Sequence, residues 1–522
     1  MKFHGLIFCS SDLGQHYRVT GAHRIATVLR KEGMDIEVID WANAFTLEEL
    51  QELVRSRISS RTVFFGFSPF FGHWTRNLHN FTKWLKKDYP DIATIIGGNN
   101  VMHVPADPKY LDYWVDGYAE KAVIDLIANI CQTSSRPLKF DPFTVDRKLI
   151  RCHVDYPAWP MNSYITLYEK RDFIQPYEFL TTEISRGCRF KCDFCNFPVL
   201  GVKGDYSRCV GDFEHEMRHN YDNWGVTQYN IADETFNDRS EKIEKFIPVI
   251  QNLPFRPWFT GFLRADLLIT RREQWQLLDD FNLNGSFFGI ESLNRPSLRA
   301  ISKGFDPERI KEGIVEYKNW KTARSPARLS ISLIHGLPFE TKETLAESYK
   351  FWKENWLDQS ISCHALDIGP DDEHEAKSQT MVSSFRSNLE KYGIRRMPQE
   401  KVILDFDPNA LIDAENLLWS EGREVPTHGM NTITSASQMY PWEHDTMNLY
   451  EASRIAQDWN LNLCYKSRVN AFNLNAIALS HRDSLYNITD WQRFKVDDEE
   501  GRKLAMQNPF VLDYRDKKLN LF

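Results

Sequence analysis

Short apolar runs alternate with amphipathic helical segments twice along this 522-residue chain, once over residues 1–135 and again over residues 180–367. In the first stretch the runs fall at Phe3–Phe8, Ile36–Ile39, Val63–Ser68, Ile95–Gly98 and Tyr113–Gly117. Helical patterns such as Ile25–Lys31 and Leu47–Ile58 separate them. The second pattern opens with Thr46 and Glu49, a capping-box pair, and places Leu47, Leu50, Val54 and Ile58 on one helical face. Strands joined through helices can pair in parallel only when both sheet faces are covered, so this stretch predicts a doubly wound, Rossmann-like α/β domain. In the second stretch the expected strands are Leu180–Ser185, Gln228–Ala232, Trp258–Leu263, Ser286–Glu291, Arg328–His335 and Ser360–Asp367. Six βα units predict a partial (β/α)6 barrel, whose functional groups gather at the C-terminal strand ends.

Residues 136–179 carry Pro137, Pro142, Pro157, Pro160 and Pro176, which break any long element, and read as a linker. Residues 368–522 form a mixed, α-rich C-terminal region without internal repeats, carrying Trp419, Trp442, Trp459, Trp491, His428, His444 and Cys464. Its tryptophans read as a small aromatic core.

The net charge of −8 gives no electrostatic reason to expect nucleic acid as partner. The apolar run Gly5–Phe8 is too short for a signal-peptide core, and no stretch approaches the ~18 apolar residues of a membrane span. A cytoplasmic location follows as the expectation, with thiols kept reduced. Nine cysteines then need a use other than disulfides. Cys9, Cys131, Cys152, Cys209, Cys363 and Cys464 stand singly, whereas Cys188, Cys192 and Cys195 fall within eight residues.

That triplet, Cys-x3-Cys-x2-Cys, directly follows an expected strand. Three thiolates on one tight loop can hold three irons of a cubane and leave the fourth open to a second molecule. Arg186, Arg189 and Lys191 are placed to favour the thiolates. A structural zinc with Cys209 as fourth ligand is the alternative, although zinc sites usually pair their cysteines two and two.

The triplet with Phe194 before its last cysteine resembles the motif of the radical S-adenosylmethionine enzymes. Further segments resemble that family in order: Ile231–Asn237 after the second strand, Trp258–Asp266 at the third, Gly289–Ser292 at the fourth, and Gly336-Leu-Pro-Phe-Glu-Thr341 after the fifth, with Phe339 replacing a usual glycine. The resemblance implies a [4Fe–4S] cluster on Cys188, Cys192 and Cys195, and S-adenosylmethionine held near Phe194, Asp233, Glu234, Arg264, Glu291 and Ser292. It also implies reductive cleavage to a 5′-deoxyadenosyl radical, a reducing electron donor such as flavodoxin or ferredoxin, and a small-molecule or peptide substrate. That residues 368–522 close over the barrel and help choose substrate is implied only by this resemblance. Taken singly, Asp233 and Glu234 also read as strand-end acids bonded to amides, Arg264 as a partner of Asp266, Glu291 as a structural carboxylate, and Thr341 as a helix cap. No second cysteine cluster offers an auxiliary centre.

The N-terminal domain resembles the cobalamin-binding domain of the B12-dependent branch of the same superfamily. The matching residues are Gly66 and Ser68 after the third strand, Gly97 and Gly98 in the fourth, and Val115–Glu120 with Gly117 in the fifth. Glycines at 97 and 98 let a bulky corrin approach the backbone. Tyr118 stands where a glutamate is usual, Asn99 and Asn100 replace a histidine-containing stretch, and Asp12 and His16 lack the spacing of the Asp-x-His-x-x-Gly cobalt-ligand motif. His16 and His23 read as solvated or hydrogen-bonded helix residues. Two readings follow from the resemblance, a cobalamin-dependent radical methyltransferase and a cobalamin-free radical enzyme. A non-catalytic zinc- or cluster-binding module is the third.

Overall fold

The computed structural model describes residues 3–11, 18–70, 74–98, 101, 104, 106–134, 137–142, 144–152, 165–190, 192–195, 207–366, 368, 389–397, 442–459, 463 and 509–521. Asp12, His16, Asn99, Asn100, Lys191, Trp419, His428, Cys464 and Trp491 lie outside them.

Six parallel strands build the N-terminal sheet: β1 (His4–Ser10), β2 (Asp35–Ile39), β3 (Thr62–Pro69), β4 (Ala93–Gly98), β5 (Tyr113–Asp116) and β6 (Leu149–Arg151), in the order β2-β1-β3-β4-β5-β6. The period-two alternation of β1 explains why both faces are covered. Leu6 and Phe8 join one apolar core with α2 (Leu47–Arg57) and α3 (Arg76–Asp88), while Ile7 and Cys9 join another with α1 (Thr20–Lys31) and α4 (Glu120–Ile130). The doubly wound expectation is met. Strand order reverses between β1 and β3, the point at which such sheets open a crevice at their C-terminal edge. β6 is an addition: it lies within the stretch read from sequence as linker.

The second sheet runs β7 (Phe179–Thr182), β8 (Gln228–Ile231), β9 (Trp258–Leu263), β10 (Leu283–Glu291), β11 (Arg328–His335) and β12 (Ser360–Ala365), all parallel and in sequence order. Helices α5 (Val210–Trp224), α6 (Ser240–Asn252), α7 (Ala265–Thr270), α8 (Glu273–Asp280), α9 (Arg295–Ala300), α10 (Pro307–Thr322) and α11 (Lys342–Asn355) follow their strands. Thr341 caps α11, its hydroxyl accepting the Thr344 amide, as its position predicts. Strand residues such as Tyr229, Phe259, Phe288 and Ile331 bury one face against these helices. The residues between them, including Asn230, Thr260, Phe262, Phe287, Ser330, Ser332 and His364, share the opposite face by register.

Beyond the barrel, β13 (Arg395–Arg396), β14 (Trp442–His444) and β15 (Met447–Asn448) form a small antiparallel sheet, and α12 (Leu449–Trp459) packs on the barrel core. Trp442 donates its indole N–H to Leu366 O at 2.8 Å. The last helix, α13 (Pro509–Leu519), goes instead to the N-terminal sheet. There buried Lys518 pairs with Glu37 at 2.8 Å, and the Asp40 amide donates to the Tyr514 hydroxyl at 2.9 Å. Asp40 also receives Arg18 and His23; burial opposes its charge, but His23 and Arg18 hold its pKa down at about 2. His23 is thus a buried, hydrogen-bonded helix residue.

Candidate functional site

The mouth of the barrel is built on the loop that leaves β7. Asp233, just beyond β8 and fully buried, accepts the amides of Ile184 at 2.7 Å and Ser185 at 3.0 Å, and the Ser185 hydroxyl. Lys242 on α6 closes the group, 3.2 Å from Asp233 and 2.9 Å from Asp238. Buried carboxylates persist only when paired and hydrogen-bonded, and Asp233 is both. It therefore differs from the sequence expectation of a cofactor ligand: both its oxygens clamp the entry to the cysteine loop.

Cys188, Cys192 and Cys195 are half-buried thiols on that loop. Cys188 Sγ lies 3.4 Å from Thr235 Oγ1, and the Cys195 amide bonds Cys192 O at 3.0 Å, a turn that folds the last two together. Asp193 between them accepts the hydroxyls of Ser302 at 2.9 Å and Tyr392 at 2.8 Å, while its amide donates to Ile301 O at 3.0 Å. Phe194 packs against the barrel core, with the Lys303 ammonium 5.8 Å from its ring. Cys209, the candidate fourth zinc ligand, is exposed at the start of α5. Among the described residues no three His, Cys, Asp or Glu side chains converge as ligands of one metal ion.

Arg264, at the end of β9, forms a bidentate pair with Asp266 at 3.0 and 2.9 Å. Its remaining nitrogen lies 3.5 Å from Cys192 Sγ, and its guanidinium stacks 3.9 Å from the Phe190 ring centre. Arg264 thus brings a cation to a thiol of the cysteine loop. Arg186 points elsewhere, to Glu120 and Glu183, and Arg189 is exposed.

Glu291 ends β10 where the β10–β11 register shifts, and it holds a left-handed φ of 67°. Its carboxylate pairs with Lys303 in the interior. A side chain at Gly289 would collide with it, since a Cβ there would lie 2.6 Å from Glu291 Oε1. A non-glycine residue in this conformation at a register shift marks a backbone held by its surroundings. Ser292 donates to Glu340 at 2.7 Å, and the Gly336 amide donates to the other oxygen at 2.9 Å, so the segments after β10 and β11 are tied together. Burial pushes the Glu340 carboxyl up to about 7.

Glu234, beside Asp233, accepts the Gly187 amide and the Tyr118 hydroxyl, each at 3.1 Å. Burial, reinforced by the charges of Asp233 and Glu183, pushes its carboxyl up to about 7 as well. Lys242, Lys303 and Glu340 were not singled out from sequence. Glu340 lies inside the quoted Gly336–Thr341 segment, whereas the lysines come from helices and loops whose partners are set only by packing.

The residues proposed for the N-terminal sheet divide. Gly66 lies inside β3, where a Cβ would come within 3.3 Å of Ile7 Cγ1. Its missing side chain serves the packing of β3 on β1. Ser68, Gly97 and Gly98 end β3 and β4 at the C-terminal edge. Gly98 has φ 145° with open space where a side chain would stand, and Gly117, φ 97°, donates its amide to Gly98 O at 3.3 Å. This edge offers bare backbone to whatever seats on it.

Residues 182–351 match the model of the Radical SAM superfamily. Among solved structures, the chain resembles the radical S-adenosylmethionine methyltransferase TsrM from Kitasatospora setae with cobalamin and [4Fe–4S] cluster bound, with TM-score 0.55 and 14% identity, covering 78% of this chain and 82% of that one. It likewise resembles the cobalamin-dependent S-adenosylmethionine radical enzyme OxsB with aqua-cobalamin and S-adenosylmethionine bound, with TM-score 0.53 and 14% identity over 99% and 79%. At these identities the likeness is one of fold. Curated relatives are the cytidylyl-2-hydroxyethylphosphonate methyltransferase of Streptomyces wedmorensis, 22% identical over 59% of this chain and 66% of the relative, and an uncharacterized methyltransferase of Pyrococcus horikoshii, 25% identical over 39% and 41%. The chain thus spans just under two thirds of the first and less than half of the second. Among the described residues no helix is long and apolar enough to cross a membrane.

Proposed function

From the match of residues 182–351 to the Radical SAM superfamily, we propose that this chain is a radical S-adenosylmethionine enzyme that reductively cleaves S-adenosylmethionine at a [4Fe–4S] cluster held by Cys188, Cys192 and Cys195. The 5′-deoxyadenosyl radical so released takes hydrogen from a small-molecule or peptide substrate, for cobalamin-dependent methyl transfer. The observation that carries the reading is the cysteine loop itself: three thiols at the barrel mouth, its entry clamped by Asp233 and one thiol touched by Arg264.

The donor set fits such a cluster, since three thiols on one loop leave one iron without a protein ligand. When bound, the cluster supplies an open iron and a single electron. The chain's own residues do the rest. Asp233 and Lys242 fix where the loop begins, and Arg264, paired with Asp266, offsets thiolate charge at Cys192. Glu234, Glu291 and Ser292 line the strand ends where S-adenosylmethionine would lie, with Phe190 stacked on Arg264 and Phe194 packed on the barrel core to either side of Cys192. Glu234 and Glu340 each hold a proton near neutrality, so the mouth carries less charge than its carboxyl count implies.

Ser68, Gly97, Gly98 and Gly117 fit the edge of a corrin by leaving backbone exposed. Support for methyl transfer comes from the named relatives and from the fold shared with cobalamin-binding enzymes. A cobalamin-free radical enzyme is the second reading, favoured by the use of Gly66 for internal packing and by Tyr118 in place of glutamate. A flavodoxin or ferredoxin would supply the electron.

The test is anaerobic incubation of the iron–sulfur-reconstituted chain with dithionite and S-adenosylmethionine, reading 5′-deoxyadenosine by mass spectrometry. Product is expected from the wild type and none from Cys195→Ala. Equal product from both would overturn the cluster assignment.

A further inference from the structure

Tyr118 departs from the residue that the cobalamin-binding resemblance leads one to expect, and the structure gives the departure a consequence. Its ring lies against the Arg186 guanidinium, 4.0 Å from carbon to ring centre. Its hydroxyl donates to one oxygen of Glu234, whose other oxygen accepts the amide of Gly187, the residue before Cys188. A second link runs alongside: Arg186 pairs with Glu120 at 2.5 Å, and Glu120 opens α4 two residues after Tyr118. On the opposite side Tyr118 follows Gly117, which is bonded to Gly98 at the open edge of β4. Direct contacts therefore lead without a break from the edge of the N-terminal sheet to the backbone of the cysteine loop.

We propose that Tyr118 and Glu234 are positioning residues that couple ligand binding at the N-terminal sheet edge to S-adenosylmethionine binding at the cysteine loop. The proposal rests on the assignment of cobalamin to that edge. A ligand seated on Gly97 and Gly98 meets the backbone that Gly117 is bonded to, and the next residue holds Glu234. Because one carboxylate is shared between Tyr118 and Gly187, any change in the Tyr118 position alters how firmly Gly187 is held. A glutamate at 118 would set a second carboxyl against Glu234, whereas the tyrosine supplies a donor on a ring clamped by Arg186. Coupling is reciprocal, so S-adenosylmethionine must alter cobalamin affinity by the same factor as the reverse. Contact alone does not measure coupling, and a comparison of liganded states does.

The experiment titrates the cluster-loaded full chain anaerobically with hydroxocobalamin, followed by visible absorbance, with and without saturating S-adenosylmethionine. S-adenosylmethionine is expected to change the hydroxocobalamin Kd by about fivefold or more. In Tyr118→Phe, which removes only the hydroxyl, that ratio is expected to fall close to one while each ligand still binds. Glu234→Gln is expected to bring the ratio close to one as well, even where it also weakens S-adenosylmethionine binding itself. A packing role alone would weaken binding yet leave the ratio at its wild-type value, which would overturn the proposal. Wild-type chain that binds hydroxocobalamin with a ratio of one would overturn it with the cobalamin assignment intact. Wild-type chain that binds none would overturn both together.

Discussion

The two parallel sheets have six strands each, yet their C-terminal edges are built on opposite plans. At the N-terminal sheet the left-handed positions that follow β4 and β5 are glycines, Gly98 and Gly117, and that part of the edge exposes backbone, while buried Trp41 past β2 is a left-handed side chain. At the barrel mouth the left-handed positions include Glu291 and Phe339 beside Gly187 and Gly336, and the edge is made of side chains already bonded to one another. A surface of bare backbone suits a large, flat group that brings its own chemistry. Prearranged side chains suit a small charged ligand whose position must be fixed before reaction. Charge follows the same division, with the carboxylates and cations of the mouth paired inward.

If the mouth is prearranged by its ion pairs, breaking one should cost more than any change at the other edge. Asp233→Ala takes one of two carboxylates from Lys242 and the acceptor from two buried amides, and is expected to lower stability by about 3–5 kcal/mol. Denaturant unfolding measures the loss, and reconstituted iron content should fall with it. An Asp233→Ala chain with wild-type stability and full iron loading would show that the clamp does not hold the loop.

A smaller effect is expected at Glu340, with a sign that depends on pH. Its carboxyl is raised from 4.5 to about 7 by burial, so the folded chain binds the proton more tightly than the unfolded chain does. The stability tied to this group is fully present below about pH 4.5 and is lost as pH rises through about 7. Glu340→Gln keeps an acceptor for the Gly336 amide, turns its NH2 to the Ser292 hydroxyl, which then accepts instead of donating, and removes the titration. It should leave stability unchanged near pH 5 and raise it at pH 8, by no more than about 3 kcal/mol. Thermal unfolding at the two pH values checks it, and equal shifts at both would show that burial does not set this carboxyl's charge.

The smallest effect is expected at Phe339, which occupies φ 65° where the family resemblance places glycine and is 61% exposed. Phe339→Gly relieves an αL penalty of about 1 kcal/mol and loses little buried surface, against a larger unfolded-state entropy. A net gain of up to about 1 kcal/mol is expected, read as a small rise in Tm. A fall would mean that the Phe339 ring contributes contacts that outweigh its strain.

Much of this arrangement was legible in the sequence. The expected runs Ile36–Ile39, Val63–Ser68, Ile95–Gly98, Trp258–Leu263 and Arg328–His335 coincide with β2, β3, β4, β9 and β11 to within two residues at each end. Period-two apolar runs bounded by glycine and helix caps are strong local signals. β6 was missed because three residues carry no periodicity. The docking of α13 was missed because it depends on pairs such as Lys518 with Glu37, far apart in the chain. At the mouth, the order of the cysteines and strand-end residues could be read directly. What could not be read was which groups are already occupied. Asp233 and Glu234 are neighbours with the same charge, yet one clamps the loop entry and the other bridges the two sheets. That division arises from packing, through Lys242 and Tyr118, and neither leaves a mark in the local pattern.

The central claim is that the loop bearing Cys188, Cys192 and Cys195 holds a cluster with one iron open to S-adenosylmethionine. Electron paramagnetic resonance of the reconstituted, dithionite-reduced chain, recorded with and without S-adenosylmethionine, tests it most directly. The account predicts a reduced [4Fe–4S] signal whose g-values shift on addition of S-adenosylmethionine, and no such signal in Cys192→Ala. A wild-type signal that S-adenosylmethionine leaves unchanged, or a loop that binds zinc and gives no signal, would contradict it.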